Sequence, residues 1–152
     1  MRFLALAGPG RHGDDEDMTD QGMTVEPVVL SAAFSAFEAL WSPRIVARVN
    51  DYDVRIAKVA GEHVWHAHDD TDEFFLVLEG ELRIALRDGG GEREVVLPQG
   101  AVFVVPRGTE HKPSSGAGAS ILLFEPTGTL TVGDRHDEIP PHVDATVGHA
   151  LP

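Results

Sequence analysis

The chain contains no cysteine at all. Disulfides, thiolate metal ligands and thiol nucleophiles are excluded together, so any metal site has to be built from nitrogen and oxygen donors. Basic residues are also scarce, 12 Lys and Arg against 25 Asp and Glu, for a formal charge of -13. A surface of that sign repels the phosphates that a nucleic-acid binder must neutralise and the headgroups of an anionic membrane. The expected partner is a small molecule, with no nucleic acid and no membrane. No run reaches the roughly 18 apolar residues of a membrane span, and the opening MRFLALAGPG stops at Gly8-Pro9-Gly10, short of a secretory signal. A cytoplasmic protein is expected.

What is present fits one domain. At 152 residues and 42% hydrophobic content the chain is long enough to bury a real core and too short for two. Residues 1 to 22 are polar and acidic enough to be expected as an unfolded leader, with Met18 and Met23 as alternative starts where folded character begins. Residues 23 to 126 are expected to form a barrel domain with an N-terminal helix, and 127 to 152 an extended tail lying on the barrel or free. The helix is predicted over 31 to 41, with Ser31 as N-cap, Phe34, Phe37, Leu40 and Trp41 at three- and four-residue steps, and Pro43 as its stop. From Ile45 the period changes to two. Strand-like runs follow at 45 to 49, 54 to 61, 63 to 68, 73 to 78, 81 to 87, 93 to 97, 101 to 105 and 119 to 124. They are separated by Asn50-Asp51, Glu79-Gly80, Gly89-Gly90-Gly91, Pro98-Gln99-Gly100 and the Ser/Gly-rich stretch 114 to 118. Short strands at that spacing predict an all-β sandwich or barrel.

Three runs do not alternate. FFLVL (74 to 78), VFVV (102 to 105) and ILLF (121 to 124) are apolar on both pleat faces, so something must cover the outside of the sheet. A helix of about eleven residues is about 16 Å long and cannot cover a whole face, which predicts a homodimer or a higher closed oligomer.

The chemistry lies in two segments. His66 and His68 stand two apart on a strand and share a face, and Glu73 opens the next strand after the loop Asp69-Asp70-Thr71-Asp72. About forty residues later the turn Pro106-Arg107-Gly108-Thr109-Glu110 delivers His111. Imidazoles with a carboxylate suit Fe, Mn, Ni, Co, Cu or Zn, and four protein ligands leave up to two octahedral positions open. Four ionisable groups in an apolar barrel would each be desolvated without compensation, so a structural role without a cation is the costlier explanation. A lone H-x-H would be read more simply as ordinary polarity on a strand.

These segments resemble the cupins. The first cupin motif is matched by Gly61, His66, His68, Glu73 and Gly80, with only the first spacing short by one. The second is matched by Gly100, Pro106, Gly108 and His111, with Ser115 where the motif has Asn. The resemblance spans roughly residues 45 to 125 and is closest to small one-domain bacterial cupins of the mannose-6-phosphate isomerase-like type. It implies a double-stranded β-helix, a jelly-roll barrel, holding one divalent transition metal ion on His66, His68, Glu73 and His111.

Other candidates are weaker. Asp69, Asp70 and Asp72 are expected as a solvated lip. His63 has odd parity and is expected to face away from His66 and His68 as a structural residue, and His12, His136, His142 and His149 are expected in solvent. Val64 and Phe75 are predicted to point inward beside the metal as substrate contacts, with Trp65 and Ala67 on the other side. Arg107 and Lys112 flank His111 and can hold a carboxylate or phosphate. Three functions remain open. The first is Lewis-acid chemistry of an isomerase or lyase on a small oxygenated metabolite, with a ligand water or Glu73 moving protons. The others are an Fe(II)-dependent dioxygenase and a non-catalytic module binding a metabolite or metal.

Overall fold

The computed structural model describes residues 26–152. The predicted leader therefore lies outside the described residues. These form one short helix, α1 (Leu30–Ser35), and ten strands: β1 (Arg44–Val49), β2 (Tyr52–Glu62), β3 (His66–Ala67), β4 (Glu73–Gly80), β5 (Leu82–Asp88), β6 (Gly91–Leu97), β7 (Val102–Val105), β8 (Glu110–Pro126), β9 (Arg135–His136) and β10 (His149–Ala150). The all-β jelly roll with one short N-terminal helix is as the sequence predicts.

β8 organises the topology. Its second half pairs with β2 on one side and β4 on the other, and its first half pairs with β5 and with β3. The change of partner falls around 115 to 119: the β2 ladder shifts register there, between the pairs Val59–Ala119 and Gly61–Ser115, and the β4 ladder ends at Ala119 after its own shift between Val77 and Glu79. One sheet therefore runs β10-β1-β2-β8-β4-β7 and the other β9-β3-β8-β5-β6. The Ser/Gly-rich stretch predicted as a loop runs as strand because its ends find partners, Ser114 with Glu62 of β2 and Arg83 of β5 and Ser115 with Gly61, and this pairing overrides the low strand propensity of Gly and Ser. Small residues suit the crossover. Gly80, at φ 82, lies so close to the backbone of Gly118 that a Cβ there would collide with its carbonyl oxygen.

Alternation along the strands fills the interior. Phe75 and Val77 of β4, Leu82, Ile84 and Leu86 of β5, and Ile121 and Leu123 of β8 form one buried cluster, each two residues from the next on its strand. Val132 and Val143 join it from beyond β8, so the C-terminal segment contributes to the core while β9 pairs with β3 and β10 with β1. Gly133 makes that docking possible. At φ 67 it lies against the Ala67 carbonyl, where any side chain would clash, while Asp134 N donates to the same oxygen.

The helix is shorter than predicted, six residues instead of eleven. Val29 is its N-cap, without a side-chain cap, and Ser31 sits inside the first turn. Beyond Ala36 the chain exchanges helix for pairing with β2: Trp41 N donates to Lys58 O, Trp41 Nε1 to Ala60 O, and Lys58 Nζ to Phe37 O. Trp41 sits at φ 51 to do so. Phe37 and Ala33 still pack on the outside of the sheet against Ile56 and Val46, with Leu122 and Leu151 beside them. That patch covers only part of the outer face. Val102 and Val104 on β7 remain 61% and 48% exposed.

The barrel also encloses a charge network. Asp53 and Arg55 share the inward face of β2, and Glu125 faces inward from β8. Arg55, fully buried, donates to Asp53 Oδ2 at 3.0 Å, to Glu125 Oε2 at 3.0 Å and to Thr129 O at 2.9 Å, and Thr127 Oγ1 donates to Asp53 Oδ1. Replacing Arg55 by Met should cost about 3–5 kcal/mol of unfolding free energy, because of the two buried carboxyls Glu125 loses its cation and Asp53 is left with Arg48, whose Nε donates to Oδ1 at 3.2 Å. Urea denaturation measures this, and a loss below about 1 kcal/mol would show that neighbouring donors satisfy them alone.

Candidate metal centre

His66, His68, Glu73 and His111 come together in the barrel interior, all four buried, with donor atoms within 4.8 Å of one another. Each arrives by a different route. His66 and His111 are direct partners across β3 and β8, with ring centroids 4.1 Å apart. His68 follows β3, and its carbonyl is held by Gly108 N, which ties the two motif segments together. Glu73 is the first residue of β4 and takes the inward parity of Phe75 and Val77. Its Oε2 lies 2.6 Å from His111 Nε2, 3.1 Å from His68 Nε2 and 3.8 Å from His66 Nε2.

Backbone carbonyls orient two of the rings. His66 Nδ1 lies 2.8 Å from Val64 O and His111 Nδ1 2.9 Å from Thr109 O. With those nitrogens as donors, both Nε2 atoms are turned toward Glu73. Nε2 of His66 and of His68 are buried without a hydrogen-bond partner, an arrangement that costs about 1–3 kcal/mol for each group unless something else satisfies it. A divalent cation does so. The group can therefore bind one metal ion, and its nitrogen and carboxylate donors fit a transition metal.

Electrostatics follow from burial. Burial opposes charge on Glu73, but His111, His66 and His68 outweigh it and hold the carboxyl well below its usual range. His66 is pushed down, chiefly by burial. At His68 burial also acts downward, but Glu73, and beyond it Glu125 and Asp134, prevail and raise it above its ordinary value.

Other sequence-predicted residues are placed unevenly. Phe75 lines the cavity beside His66 and Glu73, a narrow space of about 30 Å³ with Trp41, Ile121 and Leu123 in its walls. Val64 packs into the hydrophobic core and is not part of that lining. Arg107 is exposed, its backbone N and Nε donating to Asp72 Oδ1 at 2.9 and 3.2 Å. Lys112 lies over the outer face, 5.6 Å from the Trp65 ring centroid and 3.5 Å from Glu62. Neither cation reaches the cavity. The loop acids form an exposed lip, Asp69 paired with Arg135 and Asp72 with Arg107. Ser115, in the place of the motif Asn, is buried and donates to Glu81 O at 2.7 Å, so it fastens β8 to the start of β5.

His63 does not face away. Residues 63 to 65 are not strand, so the two-residue parity that predicted its direction does not apply. His63 lines the cavity, its ring centroid 4.8 Å from that of His66 and 5.1 Å from that of Trp41. Burial first, and the His66 ring second, lower it to about 3. His136, His142 and His149 are exposed, as predicted, and His12 lies outside the described residues.

Glu125 was missed by the sequence reading altogether. It lines the same cavity and is pushed up to about 8, by burial first and the charge of Glu73 second, against the pull of Arg55. Arg55, which donates to three acceptors, opposes that pressure without overcoming it. A signal existed. Glu125 has the parity of Ile121 and Leu123 and marks a charged inward position on an apolar strand, with Arg55 its counterpart on β2.

The chain has recognisable relatives. The cupin domain profile matches residues 52–124. Protein YdbB of Bacillus subtilis (strain 168), named as uncharacterized, is 43% identical over 70 residues, 46% of this chain and 59% of that protein. A 3-hydroxyanthranilate 3,4-dioxygenase of Xanthomonas campestris pv. campestris (strain B100) is 27% identical over 106 residues, 68% of this chain and 60% of the enzyme. The chain thus spans about 60% of the length of these curated relatives. Among solved structures, a cupin-2 domain containing protein from Shewanella frigidimarina NCIMB 400 is 44% identical with a TM-score of 0.61, over 65% of this chain and 93% of that one. Protein NMB1881 from Neisseria meningitidis is 27% identical with a TM-score of 0.59, over 66% and 99%. With the barrel, both sequence motifs and these relatives in agreement, the chain belongs to the cupin superfamily.

Proposed function

We propose that this cupin is a metal-dependent enzyme acting on a small oxygenated metabolite by Lewis-acid chemistry of the isomerase or lyase kind, with one divalent ion held by His66, His68, Glu73 and His111. The observation that carries this reading is the pair of buried, unpartnered Nε2 atoms of His66 and His68 beside Glu73, opening on an apolar cavity. A metal bound there polarises a carbonyl or hydroxyl oxygen of the substrate. The chain's own residues do the rest. Trp41, Phe75, Ile121 and Leu123 exclude water around the substrate body, and Glu73 or the neighbouring Glu125 holds or moves the proton. The cavity lining includes no lysine or arginine, which favours a substrate that enters by an uncharged end over a phosphorylated one. Arg107 and Lys112 then serve the surface.

A second reading, an Fe(II)-dependent dioxygenase, is favoured by the names of several curated relatives. Metal analysis separates the two. Protein purified without added metal or chelator should carry about one divalent ion per chain, zinc or manganese supporting Lewis-acid chemistry and iron the oxygenase. The His66→Ala, His111→Ala double variant should lose it, and a double variant with full metal content would refute the ligand assignment.

Metal affinity should weaken as pH falls from 8 toward 6. His68 is raised above its ordinary 6.5, so in the metal-free protein a proton competes for that ring. Glu73 is held low and stays a carboxylate through this range. Displacing one proton gives about a tenfold loss of affinity per pH unit below the His68 titration. Calorimetric titration with zinc at several pH values measures it, and a flat affinity over that range would contradict a protonated His68.

We also propose a homodimer that buries the outer faces of β4, β7 and β8. Val104, Phe74 and Phe124 form one apolar row across those strands and Val102, Leu76 and Leu122 the next, and α1 covers only the Leu122 end. Light scattering at micromolar concentration should give about twice the chain mass of 16.4 kDa. A monomer there would rule the dimer out.

A further inference from the structure

Among the described residues, three imidazole nitrogens are buried without a hydrogen-bond partner: Nε2 of His66, Nε2 of His68 and Nδ1 of His63. A metal in the four-residue group accounts for the first two. It does not account for the third, because His63 is not one of the residues whose donor atoms gather there. Buried polar atoms in folded proteins nearly always find partners, and an exception calls for a cause. Packing does not supply one. His63 sits between the Trp41 and His66 rings, a place where a phenyl or isobutyl group would pack without an unsatisfied nitrogen. It also lines the cavity that His66 and Glu73 open into.

We infer that His63 is a ligand-contact residue whose ring nitrogen hydrogen-bonds a polar substituent of the molecule bound at the metal. The inference rests on the proposed function and names its substrate class. Much of the remaining lining is apolar, including Ala57 and Val59 of β2 and Ile121 and Leu123 of β8, which are neighbouring strands. The molecule that satisfies both sides has one oxygenated edge and a short apolar body. Two oxygens reach the metal, and a hydroxyl or N–H next to them meets His63. A small, unphosphorylated α,β-dihydroxycarbonyl or α-hydroxyamide compound has this pattern, since its carbonyl and α-hydroxyl oxygens would chelate and a second hydroxyl or an N–H is left for His63.

Acetohydroxamic acid is a suitable probe, since it carries two chelating oxygens, an adjacent N–H and a methyl group. The full chain is loaded with cobalt(II), and the probe is titrated while the visible cobalt bands are followed in wild type, His63→Phe, His63→Leu and His63→Gln. Cobalt content and melting temperature are measured for each protein. All four should hold one cobalt. The Kd for the probe should rise about fivefold to tenfold in His63→Phe and His63→Leu, the loss of one hydrogen bond, and stay near wild type in His63→Gln. Unchanged Kd in whichever of the Phe and Leu variants folds would overturn the inference and leave His63 a packing residue. Wild type that holds cobalt and ignores the probe would overturn the substrate class. Wild type that holds no cobalt would overturn the metal reading beneath it, and this inference with it.

Discussion

The interior of this barrel is a place where charge has to be neutralised, and the rest of the structure depends on how that is done. Asp53, Arg55, Glu73, Glu125 and three histidines of the metal group are all buried, in a space otherwise filled by valine, leucine, isoleucine and phenylalanine. Leaving any of them uncompensated would cost more than one apolar contact returns. Two solutions stand side by side. At one end Arg55 gathers two carboxyls and a carbonyl, and at the other the imidazoles surround Glu73. Glu125 connects them, since it pairs with Arg55 and its proton affinity is raised by Glu73. A disturbance of the arginine network is therefore felt at the metal group without any change in its four residues.

Much of this was legible before any coordinate. The metal group could be read because its residues obey local rules: His66 and His111 lie in register, Glu73 opens a strand, and Gly108 turns the chain at the right place. The errors have a common physical cause. His63 was assigned its direction by strand parity, and the strand begins only at His66. The helix was extended to Trp41 on periodicity, and pairing with Lys58 on β2 took those residues instead. The stretch 114 to 118 was read as a loop from its composition, although Ser114 and Ser115 pair with β2 and Ser114 also with β5. In each case a tertiary partner distant in sequence overrode a local preference, and one chain without its partners in view does not reveal this.

The ligand-facing residues were harder to see for a related reason. Arg107 and Lys112 were chosen for their closeness in sequence to His111, yet alternation turns Lys112 to the outer surface and the tight turn leaves Arg107 beside Asp72. The residues that do meet the cavity come from far apart: Trp41 ahead of β1, Ile121, Leu123 and Glu125 late in β8, and Thr131 beyond it. Only closure of the barrel brings them together.

That closure has a consequence for how the chain folds. Tyr52 at the start of β2 pairs with Pro126 at the end of β8, and Phe74 of β4 pairs with Phe124. Until β8 is available, the earlier strands have no partner along the edges they present to it, and each loop to be closed spans much of the chain. Barrels dominated by such distant pairings fold on the millisecond-to-second scale. During synthesis the β2 and β4 edges leave the ribosome well before the strand that joins them, and in that interval the apolar runs of β4 and β7 are exposed to solvent and to other chains.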